Sequence, residues 1–122
     1  MAIEDLDHYT IKVANLDRSV RFYEDVIGLV KGAPPRPGFT GAWLYLGPRP
    51  VVHLFVGKEP ADESNGALDH VAFRFSDFEG TCAHLKVMNL DFREQGKPGA
   101  RRQVFLHDVG GVKIELNFPV AS

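Results

Sequence analysis

The chain has 122 residues, a formal net charge of −2, and is 44% hydrophobic and 25% charged, which is ordinary for one globular domain and excludes a disordered or collagen-like chain. No basic footprint points to nucleic acid, and no apolar run approaches the roughly 20 residues that span a bilayer. A lone cysteine, Cys82, excludes an internal disulfide and a cysteine-rich zinc site, and the acidic start Met1-Ala2-Ile3-Glu4-Asp5 lacks a signal-peptide apolar stretch, so a cytoplasmic location is expected.

The first predicted element is a half-buried strand at residues 8–13. Tyr9, Ile11 and Val13 form one face, with His8, Thr10 and Lys12 on the other. Leu16, Val20, Tyr23 and Ile27 then recur at helical spacing, and Gly28 is placed to end that helix. A short strand is expected near Val30. Residues 33–38 hold three prolines, which cannot donate to a ladder, so they form a loop. Strands at 42–46 and 51–55 flank a turn at Gly47-Pro48. Residues 59–66 are polar and turn-rich and read as a linker.

The same order then returns. A strand at 70–75 puts Val71, Phe73 and Phe75 on its apolar face. Ser76-Asp77-Phe78-Glu79 matches a capping box with Ser76 as the cap. Phe78, Cys82, Leu85 and then Met88 or Asn89 continue at helical spacing, with Cys82 a small core residue and His84 exposed. A strand near Phe92, a solvated Arg101-Arg102 loop, a strand at 104–108, a turn at Gly110-Gly111 and a strand at 113–117 complete the chain.

One shift of 62 residues relates the two copies: His8 falls on His70 and His53 on Glu115. The surrounding text repeats as well, Leu6-Asp7-His8 with Leu68-Asp69-His70 and Val52-His53-Leu54 with Ile114-Glu115-Leu116. The expectation is a single α+β domain over 1–122. It contains two tandem modules, about 4–58 and 66–120, each read as strand, helix and three strands.

Successive strand residues point to opposite faces, and an amphipathic helix must cover the apolar one. The other face carries His8, His53, His70, Arg74, Lys113 and Glu115. By the same alternation Trp43, Tyr45, Phe105 and His107 lie there too. A curled sheet with that face inward is a cup with a polar floor and aromatic walls, the composition of a small-molecule pocket. Imidazole and carboxylate are good ligands for Zn, Ni, Co, Mn and Fe, and four such groups converging at a pseudo-twofold axis make a metal site of His8, His53, His70 and Glu115. His53 is the least required of the four, since three ligands suffice. Trp43, Tyr45, Arg74, Phe105, His107 and Lys113 are the candidate substrate contacts.

The pattern resembles the vicinal oxygen chelate superfamily, which takes in glyoxalases, bleomycin-resistance proteins and dioxygenases. Its carriers are Leu6-Asp7-His8, the run from Phe22 to Leu29, Leu68 to Phe73, and Asp108 to Leu116. The resemblance implies two βαβββ modules forming a curled mixed sheet around one divalent metal, with ligand positions on His8, His53, His70 and Glu115. It implies chelation of vicinal oxygens of a small substrate, stabilisation of an enediolate, Glu115 as the base, and a homodimer. A histidine at position 53 departs from the usual Glu or Gln. Asp108-Val109-Gly110-Gly111 departs from the usual Asp-Pro-Asp-Gly. The expected function is a glyoxalase-like lyase or isomerase of the lactoylglutathione lyase type. The alternatives are an iron-dependent extradiol-type dioxygenase, a thiol transferase that opens an epoxide antibiotic, and a resistance protein that binds a small molecule without chemistry.

Overall fold

A computed structural model describes residues 1, 4–33, 37–56, 68 and 70–120, arranged as two units, Met1–Ala61 and Asp62–Ser122. The expected linker at 59–66 lies outside the described residues, as do positions 34–36 of the proline loop and Asp69.

In the first unit β1 (Tyr9–Val13) leads into α1 (Leu16–Phe22), which runs straight on into a π-helical turn at Tyr23–Ile27. Then come β2 (Val30–Lys31), β3 (Gly41–Leu46) and β4 (Arg49–Val56). Asn15 caps α1, its side-chain oxygen accepting from the Arg18 amide at 3.0 Å. Gly28 closes the helix as its position requires, with a φ of 97° that a side chain would resist. Val20, Tyr23 and Ile27 are buried, as are the alternate strand residues Leu44, Val52 and Leu54, and α1 packs on β3 and β4. Each such side chain contributes roughly 1.5–3 kcal/mol when taken from water. The strand order is β1-β4-β3-β2, with β1 parallel to β4 and the other pairs antiparallel.

The β3–β4 hairpin is irregular, and the cause is in the sequence. Leu44 pairs with Val52 but Tyr45 pairs with Pro50, so Val51 is an extra residue in a bulge. Proline lacks the N–H that a regular ladder needs, and a bulge is one of the few sheet positions that tolerates it. The second unit solves the same span differently. Its hairpin stays in register to His107 and Lys113, and the wider turn is held by Asp108, whose Oδ1 accepts from the Gly110 and Val112 amides at 2.9 Å each.

That unit comprises β5 (Val71–Arg74), α2 (Phe78–Val87), β6 (Arg93–Gln95), β7 (Arg102–His107) and β8 (Lys113–Phe118), in the order β5-β8-β7-β6. Again the first strand is parallel to the last, β5 to β8. Phe78 at the start of α2 packs edge-on against Phe118 of β8. Val104, Leu106, Ile114 and Leu116 form the buried face with Cys82 and Leu85. Together the elements make two four-stranded mixed sheets with one helical segment each, an α+β fold of two βαβββ modules.

Two expectations shift. The cap of α2 is Asp77, not Ser76: Asp77 takes a left-handed φ of 64° and its Oδ1 accepts from Gly80 at 3.1 Å. Gly80 makes this possible, because a Cβ there would collide with the capping carboxylate. Glu79 is then free to face Arg102, 3.6 Å away. Arg102 is not in a solvated loop; it opens β7 and lays its guanidinium over the Phe78 ring at 3.5 Å. Among the described residues no helix is long and apolar enough to cross a membrane.

Cys82 sits at the helix seam as expected, buried, with its thiol 3.6 Å from Glu94. Burial pushes the thiol's pKa up, and the Glu94 carboxylate adds to the shift. The reactive species is the thiolate. Native protein at pH 8 is therefore expected to react with a thiol reagent far more slowly than urea-unfolded protein, and equal rates would contradict this placement.

Candidate functional site

In the first unit the strand order brings three rings into one row. Thr10 of β1 pairs with His53 of β4, and His53 pairs with Trp43 of β3, so these positions share a face. His8 precedes β1 on the same alternation. Trp43 stacks on His53 with centroids 4.2 Å apart and planes 10° apart. His53 stacks in turn on His8, at 3.8 Å and 15°. The His53 Nε2–H donates to the Pro50 carbonyl at 3.0 Å, a contact set up by the bulge. A carbonyl only accepts, so Nε2 carries the proton and Nδ1 keeps the lone pair. Desolvation holds the His53 imidazole below the usual histidine range; His8 adds to this and the Pro50 carbonyl opposes it. His8 is tethered from the other side. Its Nδ1 lies 2.6 Å from Asp7 Oδ2, which fixes the proton on Nδ1 and leaves Nε2 as the donor atom for a ligand. The hydrogen bond from His8 holds the Asp7 carboxyl below the usual carboxylate range.

The second unit repeats the row with different chemistry. Ala72, Glu115 and Phe105 are register partners, and Arg93 of β6 extends the row. His70 Nε2 lies 3.3 Å from Glu115 Oε1, and Glu115 is only 9% exposed. His70 meets Phe105 edge-on at 6.3 Å. The Arg93 guanidinium and the Lys113 ammonium lie 4.9 Å and 5.3 Å from the centre of the Phe105 ring. Arg93, Phe105 and Lys113, with His107 and Asp91, line an open depression of about 440 Å³.

Every predicted ligand thus has a ligand-type neighbour within its own unit: His8 with His53, and His70 with Glu115. Among the described residues no group of three His, Cys, Asp or Glu side chains forms. Trp43 and Phe105 occupy the expected aromatic positions. Tyr45 is half-buried with its ring packed over Gly32, where any Cβ would strike it. His107 and Lys113 line the depression. Arg74 is exposed opposite Asn117.

The sequence reading misses Arg93. The repeat aligns Arg93 with Lys31, yet Lys31 pairs with Leu44 whereas Arg93 pairs with Phe105, so β6 has slipped by one residue relative to β2. It also misses Asp7 as the tether of His8 and Pro50 as the acceptor for His53. Asp7 was legible as a neighbour carboxylate; the Pro50 contact depends on the bulge.

The residues present fit a divalent cation in their donor chemistry. His8 keeps the Nε2 lone pair and has the Asp7 carboxylate behind its Nδ1, an arrangement that orients metal-binding histidines. His70 Nε2 and Glu115 Oε1 lie 3.3 Å apart, a separation that two ligands of one cation at about 2.0–2.2 Å each can span.

The family model for the glyoxalase/bleomycin resistance protein/dioxygenase superfamily matches residues 5–116. The chain is 33% identical to a probable lactoylglutathione lyase from Synechocystis, over 89% of this chain and 91% of that protein. It is 30% identical to the metallothiol transferase FosB of Staphylococcus epidermidis, over 94% of this chain and 84% of that one. A mutant of the fosfomycin resistance protein FosX from Listeria monocytogenes, solved with Mn(II) and 1S,2S-dihydroxypropylphosphonic acid, shares the fold at a TM-score of 0.75 and 14% identity, covering 97% of this chain and 94% of that one.

Proposed function

The chain belongs to the glyoxalase/bleomycin resistance protein/dioxygenase superfamily, and from that membership we propose that it is a divalent-metal-dependent enzyme of the glyoxalase type. Its substrate is a small molecule with two adjacent oxygens, and it works as a homodimer in the cytoplasm. Its candidate ligands come as two pairs, His8 with His53 and His70 with Glu115, and the ion is one of Zn, Ni, Co, Mn or Fe.

The observation that carries this reading is the His70–Glu115 pair. A carboxylate that is 9% exposed is costly unless a charge or hydrogen bond meets it, and an imidazole nitrogen stands 3.3 Å away. A divalent cation bound there supplies Lewis-acid polarisation of the substrate's adjacent oxygens. Glu115 is the base that takes the carbon-bound proton. Trp43, Tyr45 and Phe105 supply apolar walls. Lys113 and His107, joined by Arg93, hold substrate oxygens around the Phe105 ring, and Arg74 is the outermost cation on that face.

A second reading, transfer of an external thiol to a small electrophile, is favoured by the similarity to FosB. An iron-dependent dioxygenase is the third and is separated from both by the identity of the metal.

The test is elemental analysis of protein purified without a metal-affinity tag, alongside His8→Ala and Glu115→Ala. About one equivalent of a divalent metal per chain is expected in the parent and a loss in both variants, since ligands and metal are linked. Nickel, zinc or cobalt supports lyase or transferase chemistry, and iron supports the dioxygenase. No metal after reconstitution overturns the reading in favour of a small-molecule-binding protein.

A further inference from the structure

We infer that Arg49 is a positioning residue for His8: its guanidinium grips the chain just upstream of the imidazole, at Asp5 and Leu6, and so sets where that ring meets His53. All the groups involved lie within the first unit. The inference rests on the reading of His8 as a metal ligand and supplies the device that presents it.

His8 stands ahead of β1, outside the strand ladder. Residues 4–8 are exposed, and Leu6, at 75% exposure, buries too little to anchor them. Polar contacts hold this stretch instead. Arg49, the first residue of β4, places one terminal nitrogen 3.0 Å from the Leu6 carbonyl oxygen and 3.1 Å from Asp5 Oδ2. That nitrogen carries two hydrogens, one for each acceptor. The other oxygen of Asp5 accepts from the Leu6 amide at 2.8 Å. Both backbone polar groups of Leu6 are thereby engaged, which fixes the course of the chain there. Asp7 follows, and its carboxylate meets His8 Nδ1 at 2.6 Å. A guanidinium keeps its charge throughout the working pH range, so the grip does not titrate away from its own side.

Arg49 and Pro50 are neighbours, and between them they act on both rings. The Pro50 carbonyl takes the His53 Nε2 proton at 3.0 Å, while the Arg49 side chain holds the stretch that carries His8. Both residues sit at the bulged end of the β3–β4 hairpin, where Leu46 pairs with Arg49 and Tyr45 with Pro50. The stack of His8 on His53, at 3.8 Å and 15°, joins what these two contacts hold.

The other copy of the repeat shows why this copy needs the grip. Glu115 stands at the position equivalent to His53, and its carboxylate lies 3.3 Å from His70 Nε2, so a charged acceptor holds that imidazole directly. The imidazole at position 53 meets His8 by its face. A ring face draws a neighbour in far less strongly than a carboxylate does. The residues equivalent to Asp5 and Arg49 are Ala67 and Gly111, which carry neither charge. The acid–guanidinium pair therefore belongs to the copy whose histidine lacks a carboxylate across the sheet, and the sequence omits it from the copy that has one.

The experiment is proton NMR of the His8 ring, assigned with His8→Ala, together with Zn(II) affinity by competition with a chelating indicator. It uses the full chain as parent, Arg49→Ala, Arg49→Lys and Asp5→Asn. In the parent the stacked His53 ring should displace the His8 ring protons upfield. Arg49→Ala is expected to lose most of that displacement and to bind Zn(II) about tenfold more weakly, the low end for a residue that orients a ligand from behind. Exposed ion pairs contribute little to global stability, so the urea midpoints should coincide. Arg49→Lys, whose ammonium has donors for both acceptors, should recover most of both readings, and Asp5→Asn should fall between. His8 shifts in Arg49→Ala that match the parent overturn the inference, and so does an unchanged Zn(II) affinity. A lowered urea midpoint with movement of the Leu44 and Leu54 methyls overturns it too, because Arg49 would then serve the fold and not the His8 stretch. So does an Arg49→Lys protein as impaired as Arg49→Ala. A parent that binds no Zn(II) removes the metal reading alone, and the His8 shifts then decide by themselves whether Arg49 places the ring.

Discussion

Glu115→Gln is expected to lower turnover by about 10²–10⁴-fold, the usual contribution of a positioned general base. The side chain is buried and keeps its shape in the substitution, so the variant should fold with an unchanged circular dichroism spectrum. The amide cannot accept a carbon-bound proton, and it is a poorer partner for His70 Nε2, 3.3 Å away. Activity within tenfold of the parent removes Glu115 from the proposed role. Metal content measured on the same sample separates loss of the base from loss of the ion.

Gly41→Ala is the substitution expected to cost the fold most for the least chemistry. A Cβ at Gly41 would run into the Leu54 carbonyl oxygen, and it would lie 2.7 Å from the Phe39 ring. The ring can swing away, but the carbonyl belongs to the neighbouring strand of the β3–β4 pair. Relief requires the strands to separate beside His53. Overpacking of this kind costs about 1–3 kcal/mol, and the urea midpoint should fall accordingly. Gly110→Ala is the control. Its Cβ would meet only Asp108 Oδ1, at an ordinary 3.6 Å, and the midpoint should move by less than about 0.5 kcal/mol. Equal loss in both would mean the close approach at Gly41 is not what holds the hairpin.

Alternation and repetition made most of the architecture legible. Val52 and Leu54 are buried while His53 between them is only partly so, which the period of two requires. The shift of 62 residues made His8 equivalent to His70 and His53 to Glu115, and the structure sets His8 beside His53 and His70 beside Glu115 because equivalent strands pair in the same parallel way in both units. What stayed hidden depends on single residues out of step with the period. The bulge at Val51 follows from Pro50, but nothing in the run of residues says on which side of the proline the extra residue will sit. Asp77 outcompeted Ser76 as the cap because Gly80 three residues later left room for its carboxylate. The one-residue slip of β6 brought Arg93 over Phe105, and a strand of three residues is too short for periodicity to register it. The ring stack itself was out of reach, since sharing a face does not say how two flat groups meet.

That stack also makes the protein its own optical instrument. Trp43 is the single tryptophan of the chain, and its indole lies flat against the His53 imidazole. All indole emission therefore originates one ring away from the proposed ligand His8. Any event that tilts, charges or displaces His53 changes the surroundings of the only strong fluorophore present. Occupancy of this face can be followed in the unmodified protein, at low concentration and in real time, without attaching a dye or knowing the substrate.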